Sequence, residues 1–337
     1  MALGVEESAV EVSKRMRLPR SFFQIAGVAV AWGLLFIIFA LKVEHFADSP
    51  EAFSDTIWSI ILQCSVTTLL AVGMTYVIIT AGIDLSVGTV MALASVLMGK
   101  VLVRGDGALW VIAGIGTALL VGTTVGLLNG VLIAFGRVPP FICTLAMYIA
   151  ASGLALIVTR SQTLAGLPDS FTWLGGTFLK GIPIPAAFAL LAVFGGQIVL
   201  SFTRFGRYLF AVGGNPEAAY LSGVPVRRCL VLTYGFCGFM VGVAAVVSTA
   251  RMQAASPIFG QGQELNAIAA AILGGTSLMG GEGTVVGTLF GALVIQTLRA
   301  GLTRMQVDAN WQQVLIGGIL VAMVLLDQFR LRRLQKS

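Results

Sequence analysis

Apolar runs long enough to cross a membrane recur along the whole chain and restrict the folds that it can adopt. A run of about 20 apolar residues gives an α-helix the length of a hydrocarbon core that is ~30 Å thick. Charged residues make up only 11% of the sequence and hydrophobic residues 57%, whereas soluble domains carry about 25% charged residues. The runs also lack the alternation of polar and apolar residues that transmembrane β-barrels show. The sequence therefore predicts an all-α, polytopic integral membrane protein that folds as a helical bundle.

Ten segments of the chain are predicted to be transmembrane helices. The eighth and ninth are the shortest, and we expect them to be broken or re-entrant. An even number of crossings places both termini on one side of the membrane. The organisation is then a tail at residues 1–20, a transmembrane domain at 21–326 that contains a long loop at 203–228, and a tail at 327–337. The predicted spans are Ser21–Leu41, Ile57–Thr80, Leu85–Val103, Ala108–Phe135, Phe141–Thr159, Pro185–Phe202, Leu230–Ala250, Leu265–Met279, Thr284–Leu298 and Trp311–Leu326.

The distribution of basic residues predicts which side of the membrane each loop faces. Of the 21 Lys and Arg residues, 13 lie on the N-terminal side of the predicted spans and 8 on the opposite side. Cytoplasmic loops of membrane proteins carry the excess of Lys and Arg, so both termini and the 203–228 loop are predicted to be cytoplasmic. This orientation explains the net charge of +6, and we expect a lipid bilayer around the chain and no nucleic-acid partner.

The residues that usually build metal or catalytic sites are few and scattered. Cys64, Cys143, Cys229 and Cys237 lie inside apolar runs without the spacing of metal ligands, and the single histidine, His45, lies in a short acidic loop. Buried cysteines of this kind pack as small apolar side chains. We predict no metal site and no catalytic group.

A carboxylate interrupts the apolar sequence between the second and third spans, in "TAGIDLSVGTVMAL" at residues 80–93. An ionised side chain is costly inside a bilayer, so Asp84 marks either a break in the helix or a functional site. Gly82 is expected to end one helix, and Asp84 or Ser86 to cap the next by accepting a backbone N–H. The alternative is a role for these residues in gating or in a partner interface.

A second break of similar composition, "GGTSLMGGEGTVVGTLFGALV" at residues 274–294, lies between the eighth and ninth spans. Gly280, Gly281 and Glu282 stand there as Gly82 and Asp84 stand in the first break. Two such breaks in corresponding places indicate two related halves, as in many transporters, and both are candidates for gating.

Three glycines recur every fourth residue in the fourth span, at Gly122, Gly126 and Gly130. Residues with this spacing lie on one face of a helix and let a second helix approach closely. We predict a helix-packing seam here.

The 203–228 loop contains a short predicted helix in "NPEAAYLSG". Asn215 is the expected N-cap, Pro216 the first helical residue, and Glu217 an acid that the helix dipole favours. Gly223 is expected to stop the helix. A helix of two turns is marginal alone in water, so we expect it to dock in a groove, for which Ala218 and Ala219 leave a low surface.

Three segments of the chain resemble one known family. "GRYLFAVGGNPEAAYLSGV" is similar to the cytoplasmic coupling segment of permease subunits from ribose-type ABC sugar importers, and the two glycine breaks resemble the other signatures of that family, in the same order. The likeness runs from Ile57 to Leu326. The resemblance assigns coupling to the ATPase to one group of residues, which are Gly214, Asn215, Pro216, Glu217, Ala218, Ala219 and Gly223.

The resemblance implies several partners for the chain. These are a second permease copy, identical or homologous, an ABC ATPase subunit that binds ATP and Mg²⁺, and a periplasmic sugar-binding protein, at the bacterial inner membrane. The sequence has no G-x-x-x-x-G-K-[ST] phosphate loop, which is consistent with a transport subunit that is not an enzyme and binds no cofactor itself.

Two other functions remain open at this point. A permease for branched-chain amino acids or nucleosides would carry a similar coupling segment. A secondary transporter driven by an ion gradient would need titratable groups near the middle of the membrane, whereas Asp84, Glu264 and Glu282 fall at predicted span ends.

Polar side chains within the predicted spans are candidates for a sugar path. A sugar requires hydrogen-bonding groups and often an aromatic face, while the alternative for each residue is a hydrogen bond between helices. The candidates are Gln63, Thr67, Asn129, Thr144, Tyr148 and Asn266.

Overall fold

The structure, a computed structural model, describes residues 20–43, 46, 49–177, 183–319 and 321. Residues 1–19, His45, the end of the tenth predicted span and the C-terminal tail lie outside these ranges. The described helices are α1 (Arg20–Lys42), α2 (Pro50–Ile79), α3 (Val87–Leu102), α4 (Ala108–Ala134), α5 (Pro140–Thr159), α6 (Asp169–Thr172), α7 (Ile184–Phe202), α8 (Arg204–Gly214), α9 (Pro216–Leu221), α10 (Val226–Met252), α11 (Gln263–Leu273), α12 (Val285–Arg304) and α13 (residues 309–319).

The prediction of an all-α membrane protein is confirmed. Seven described helices are long and apolar enough to cross a membrane, namely α1, α2, α4, α5, α7, α10 and α12. The helices α3 and α11 have 16 and 11 residues, which is short for a hydrocarbon core of ~30 Å at ~1.5 Å per residue. The prediction that the ninth span is short was wrong, because α12 continues past Leu298 through Arg299 to Arg304.

The helices α2 and α10 form the centre of the bundle. Buried residues make up 67% of the apolar stretch in each of them, against 22% in α4 and α5. The exposed side chains of α4 and α5 are large and apolar, such as Leu120 and Ile149. Lipid is expected to surround these faces. Their side chains are apolar, and the backbone of each helix makes its hydrogen bonds within the helix.

The predicted glycine seam of α4 packs against α10. A Cβ on Gly126 would overlap the Tyr234 carbonyl and lie 2.9 Å from the Gly238 Cα, and a Cβ on Gly130 would lie 2.7 Å from the Val231 Cα. The two backbones are therefore in direct contact, as close packing of small residues in membranes requires.

The helix α1 packs on the outer side of α12. The Trp32 indole N–H donates to the Thr297 hydroxyl over 3.0 Å. The Trp32 ring also lies 6.1 Å from that of Phe290. Thr297 therefore marks the face of α12 that is turned towards α1.

Substitution along the α4 seam tests this packing. We expect Gly126→Ala to lower the free energy of unfolding by about 1–3 kcal/mol, since a methyl group there forces the two backbones apart. Gly116→Ala in the same helix is the matched control, because its Cβ would meet nothing within 4 Å. Chemical denaturation of both variants in detergent measures the difference, and equal stabilities would contradict the seam.

Candidate functional site

The first break begins where α2 ends, in a Schellman motif. The Gly82 N–H donates to the Val77 carbonyl over 3.1 Å, and the Ala81 N–H donates to the Ile78 carbonyl over 2.8 Å. The left-handed residue is Ala81, with a φ of 58°, so the expectation that Gly82 itself ends the helix was wrong. Gly82 instead allows the chain to pack closely against Tyr234, because a Cβ at this position would lie 2.7 Å from the Tyr234 hydroxyl.

Asp84 is buried in the first break and caps the chain that enters α3. Its Oδ1 accepts from the Ser86 backbone N–H over 2.9 Å and from the Ser86 hydroxyl over 2.6 Å. Of the two predicted caps, Asp84 therefore accepts the backbone N–H, whereas the Ser86 side chain makes no capping bond. Asn129 Nδ2 on α4 donates to the Ser86 hydroxyl over 3.1 Å, which fixes the break to the bundle.

The second break satisfies its helix end differently. The Thr284 hydroxyl accepts from the Gly287 N–H over 3.0 Å, and Gln197 Oε1 on α7 accepts from the Val285 N–H over 3.0 Å. Glu282 contributes its backbone carbonyl, which accepts from the Ser277 N–H over 3.1 Å. The acids of the two breaks are therefore not equivalent, because side-chain capping falls to Asp84 in the first break and to neutral side chains in the second.

The 203–228 loop contains two helices. The short helix α9 has the local structure that was predicted, since Asn215 Oδ1 accepts from the N–H groups of Glu217 and Ala218 over 3.0 Å each. Pro216 is its first residue, and Gly223 follows with a φ of 82°.

The helix α8, which precedes α9, was not predicted from the sequence. Its N-cap is Thr203, whose hydroxyl accepts from the Gly206 N–H over 3.2 Å. Leu209 and Val212 form its buried face. Thr203 followed by apolar residues at helical spacing was the signal for this helix.

The C-terminal end of α8 meets both breaks at one point, which we name the glycine junction and define as Ile79, Gly213, Gly280 and Gly281. The Gly281 N–H donates to the Ile79 carbonyl over 2.9 Å. A Cβ on Gly213 would overlap that carbonyl and lie 2.6 Å from the Gly281 nitrogen. A Cβ on Gly280 would lie 2.8 Å from the Gly213 carbonyl. Segments that are distant in the sequence are therefore in backbone contact here.

Aromatic contacts anchor α8 to the centre of the bundle. The ring of Phe205 stacks on that of Tyr76 in α2, with 6.3 Å between the centroids. The Tyr76 hydroxyl donates to the Gly196 carbonyl of α7 over 2.6 Å. The start of α8 is thus held against α2 and its end against the two breaks.

The exposed side of α9 carries two large apolar side chains that the sequence analysis did not select. Tyr220 is 71% exposed and Leu221 is 84% exposed. Ala219, which was expected to favour docking, is buried against the chain itself. A groove of about 960 Å³ lies between α9, the end of α4 and the start of α10, and Arg137, Arg227 and Glu217 are among its lining residues.

Two of the six sugar-path candidates lie close to other polar residues at the opposite end of α12 from the glycine junction. Thr67 accepts a hydrogen bond from Gln296 Nε2 over 2.8 Å. Asn266 Oδ1 accepts from Arg299 Nη2 over 2.9 Å. Gln63, one turn from Thr67, is exposed and donates to the Ser59 hydroxyl over 3.1 Å.

The remaining candidates lie elsewhere. Asn129 on α4 donates to the Ser86 hydroxyl of the first break. The Thr144 hydroxyl donates to the Pro140 carbonyl of its own helix over 2.9 Å. Tyr148 is partly exposed on α5. Among the described residues, no group of three or more His, Cys, Asp or Glu side chains is arranged to hold a metal ion.

The capping role of Asp84 gives a testable prediction. Asp84→Asn keeps an oxygen that accepts the Ser86 N–H, so we expect its stability to stay near that of the native chain. Asp84→Ala removes the cap and is expected to lower the free energy of unfolding by about 1 kcal/mol. Denaturation of the two purified variants measures this, and an equal loss in both would show that the carboxylate charge matters more than the cap.

Comparison with known proteins places the chain in a family. A family model described as "Branched-chain amino acid transport system / permease component" matches residues 56–324. The ribose import permease protein RbsC of Bacillus subtilis is 41% identical over 275 residues, which cover 81% of this chain and 84% of that protein.

Two proteins of Escherichia coli are similar over comparable lengths. The ribose import permease protein RbsC is 38% identical over 284 residues, which cover 83% of this chain and 88% of that protein. The D-allose transport system permease protein AlsC is 37% identical over 297 residues, which cover 87% and 90%. The chain therefore belongs to the ribose-type permeases of ABC importers.

Proposed function

We propose that this chain carries a monosaccharide or a related polyol from the periplasm to the cytoplasm across a bacterial inner membrane. ATP and Mg²⁺ bind to a separate ATPase subunit, which drives the transport. The observation that carries the proposal is the glycine junction, where the loop that resembles a coupling segment lies against both breaks. A permease without its own phosphate loop needs such a contact, through which ATP hydrolysis in another chain can change the arrangement of its helices.

The face of α9 that carries Tyr220 and Leu221 is the proposed contact for the ATPase. Two large apolar side chains exposed beside each other on a polar loop favour burial in a partner's groove, with a gain of roughly 2 kcal/mol for each side chain that is fully buried. Asn215 and Gly223 act as the two ends that fix the helix. Gly214, Pro216, Glu217 and Ala218 complete the proposed coupling segment, and Ala219 supports it from inside.

The remaining partners follow from the proposed orientation. With α9 on the cytoplasmic side, α6 and the exposed Trp173 lie on the periplasmic side, where a sugar-binding protein would deliver the solute. A second permease copy completes the assembly.

The sugar class is favoured over the alternatives by the names of the relatives. The three relatives described above are named for ribose and allose, although the family model is described by branched-chain amino acids. The environment of Asp84 gives no support to an ion-driven transporter, because its Oδ1 is already bonded to Ser86.

Purification with the ATPase tests the proposed contact. We expect Leu221→Asp to weaken binding of the ATPase subunit at least about tenfold, since a loss of ~1.4 kcal/mol has that effect. Leu221→Met is the matched control, because it keeps an apolar side chain of similar size. The tagged variants are purified in mild detergent from the native membrane, and equal recovery of a partner with a phosphate loop would contradict the contact.

A substitution at Gly213 tests whether the glycine junction couples ATP hydrolysis to transport. We expect Gly213→Ala to leave the ATPase bound but to lower sugar uptake per ATP about tenfold, because the methyl group displaces α8 from the two breaks. Gly195→Ala in the preceding helix α7 is the control, since a Cβ there would meet nothing within 4 Å. Both are measured in proteoliposomes with the ATPase and the binding protein. Normal uptake by an assembled Gly213→Ala variant would remove the glycine junction from the mechanism.

A further inference from the structure

Polar side chains meet between α2, α11 and α12 in the half of the bundle away from the glycine junction. We name this group the polar column and define it as Thr67, Asn266, Gln296 and Arg299. Gln296 and Arg299 lie three residues apart, on one face of α12. Gln296 reaches Thr67 on α2 over 2.8 Å, and Arg299 reaches Asn266 on α11 over 2.9 Å. Three helices therefore turn polar groups towards one another here.

Arg299 is the residue of the column that packing alone does not explain. Its hydrogen bond among the described residues is the one to Asn266, and its Nε is buried without a partner. A guanidinium within a membrane bundle is costly, and a buried N–H without a partner adds to that cost. Such a group in a native structure calls for an explanation, for example a ligand that the donor meets during function.

The other face of α12 shows what a purely structural contact looks like. Thr297 is buried and accepts a single hydrogen bond from Trp32 on α1. Both groups are neutral, and each has the other as a hydrogen-bond partner. The Arg299 guanidinium instead carries a permanent charge and five N–H groups. The acceptor that it bonds here is the Asn266 amide oxygen.

We propose that the polar column is the place where the permease contacts its sugar during transport. The inference rests on the proposed function. The guanidinium and the Gln296 amide offer N–H groups to ring and hydroxyl oxygens, and the Asn266 carbonyl oxygen accepts hydroxyl protons. A sugar hydroxyl both donates and accepts, so it matches a column that contains both kinds of group.

The column is closed in this conformation and has a route to open. Thr67, Asn266 and Gln296 are each at most 5% exposed, so a solute reaches them when α11 and α12 separate from α2. The helix α11 ends at Leu273 and α12 begins at Val285, so the second break joins them directly. Gly280 and Gly281 of that break belong to the glycine junction, and a movement there acts on α11 and α12, two of the three helices that form the column.

Cysteine accessibility tests the column without relying on activity. The four native cysteines are replaced by serine or alanine, and Gln296→Cys or Thr297→Cys is introduced into the transporter assembled with its ATPase and binding protein. A charged methanethiosulfonate reagent is applied during ATP turnover, with and without D-ribose, D-allose, D-fructose or L-arabinose, sugars for which relatives are named. We expect Gln296→Cys to react, and the transported sugar to slow its reaction. Thr297→Cys, which faces α1, is expected to stay unreactive.

The outcomes separate this inference from the proposed function. If the cysteine-free transporter imports a sugar while Gln296→Cys stays unreactive, or reacts at the same rate with sugar present, the column is not the solute contact and the function stands. If neither the native nor the cysteine-free assembly imports any of the four sugars, the proposed function and this inference fail together for those sugars.

A second variant distinguishes contact with the solute from a structural role of Arg299. We expect Arg299→Gln to raise the KM for the imported sugar about tenfold, the change that a loss of ~1.4 kcal/mol in binding produces. A fall in melting temperature together with an unchanged KM would overturn the proposal, because it would mark Arg299 as a packing residue.

Discussion

Direct contact between backbones is the interaction on which this structure depends. Lipid supplies no hydrophobic driving force between helices, so close van der Waals contact and hydrogen bonds must hold them together. The α4–α10 seam meets that requirement with Gly126 and Gly130, and the glycine junction meets it with Gly213 and Gly281. The first contact holds the centre of the bundle, and the second joins the 203–228 loop to the two breaks.

Helix ends inside the bundle impose a second constraint, because a free backbone N–H cannot turn to water there. Asp84 meets this need for the chain that enters α3, and Thr284 with Gln197 meets it for α12. The Gln197 side chain comes from α7, which continues through Thr203 into α8. The start of α12 is therefore held by the same stretch of chain that leads into the 203–228 loop.

Much of the fold could be predicted from local sequence, while the contacts of the candidate site could not. The spans follow from apolar length, and the ends of α9 follow from Asn215 and Gly223, because each signal lies within a few residues of its effect. The glycine junction joins Ile79, Gly213 and Gly281, which are far apart in the sequence, and no local pattern encodes that meeting. The analogy between Asp84 and Glu282 was misleading for the same reason, since capping at the second break depends on Gln197 from another helix.

Two restrictions on the second break limit how the sequence of such a chain can change in evolution. Gly280 and Gly281 take φ values of 82° and 75° in addition to lying against α8, so a side chain at either position meets backbone strain and crowding together. The polar column has no such backbone restriction, since its contacts are made by side chains in regular helices. Selection can therefore change the proposed solute contact one residue at a time, while the glycine junction stays fixed. One transport scaffold can in this way come to serve many different sugars.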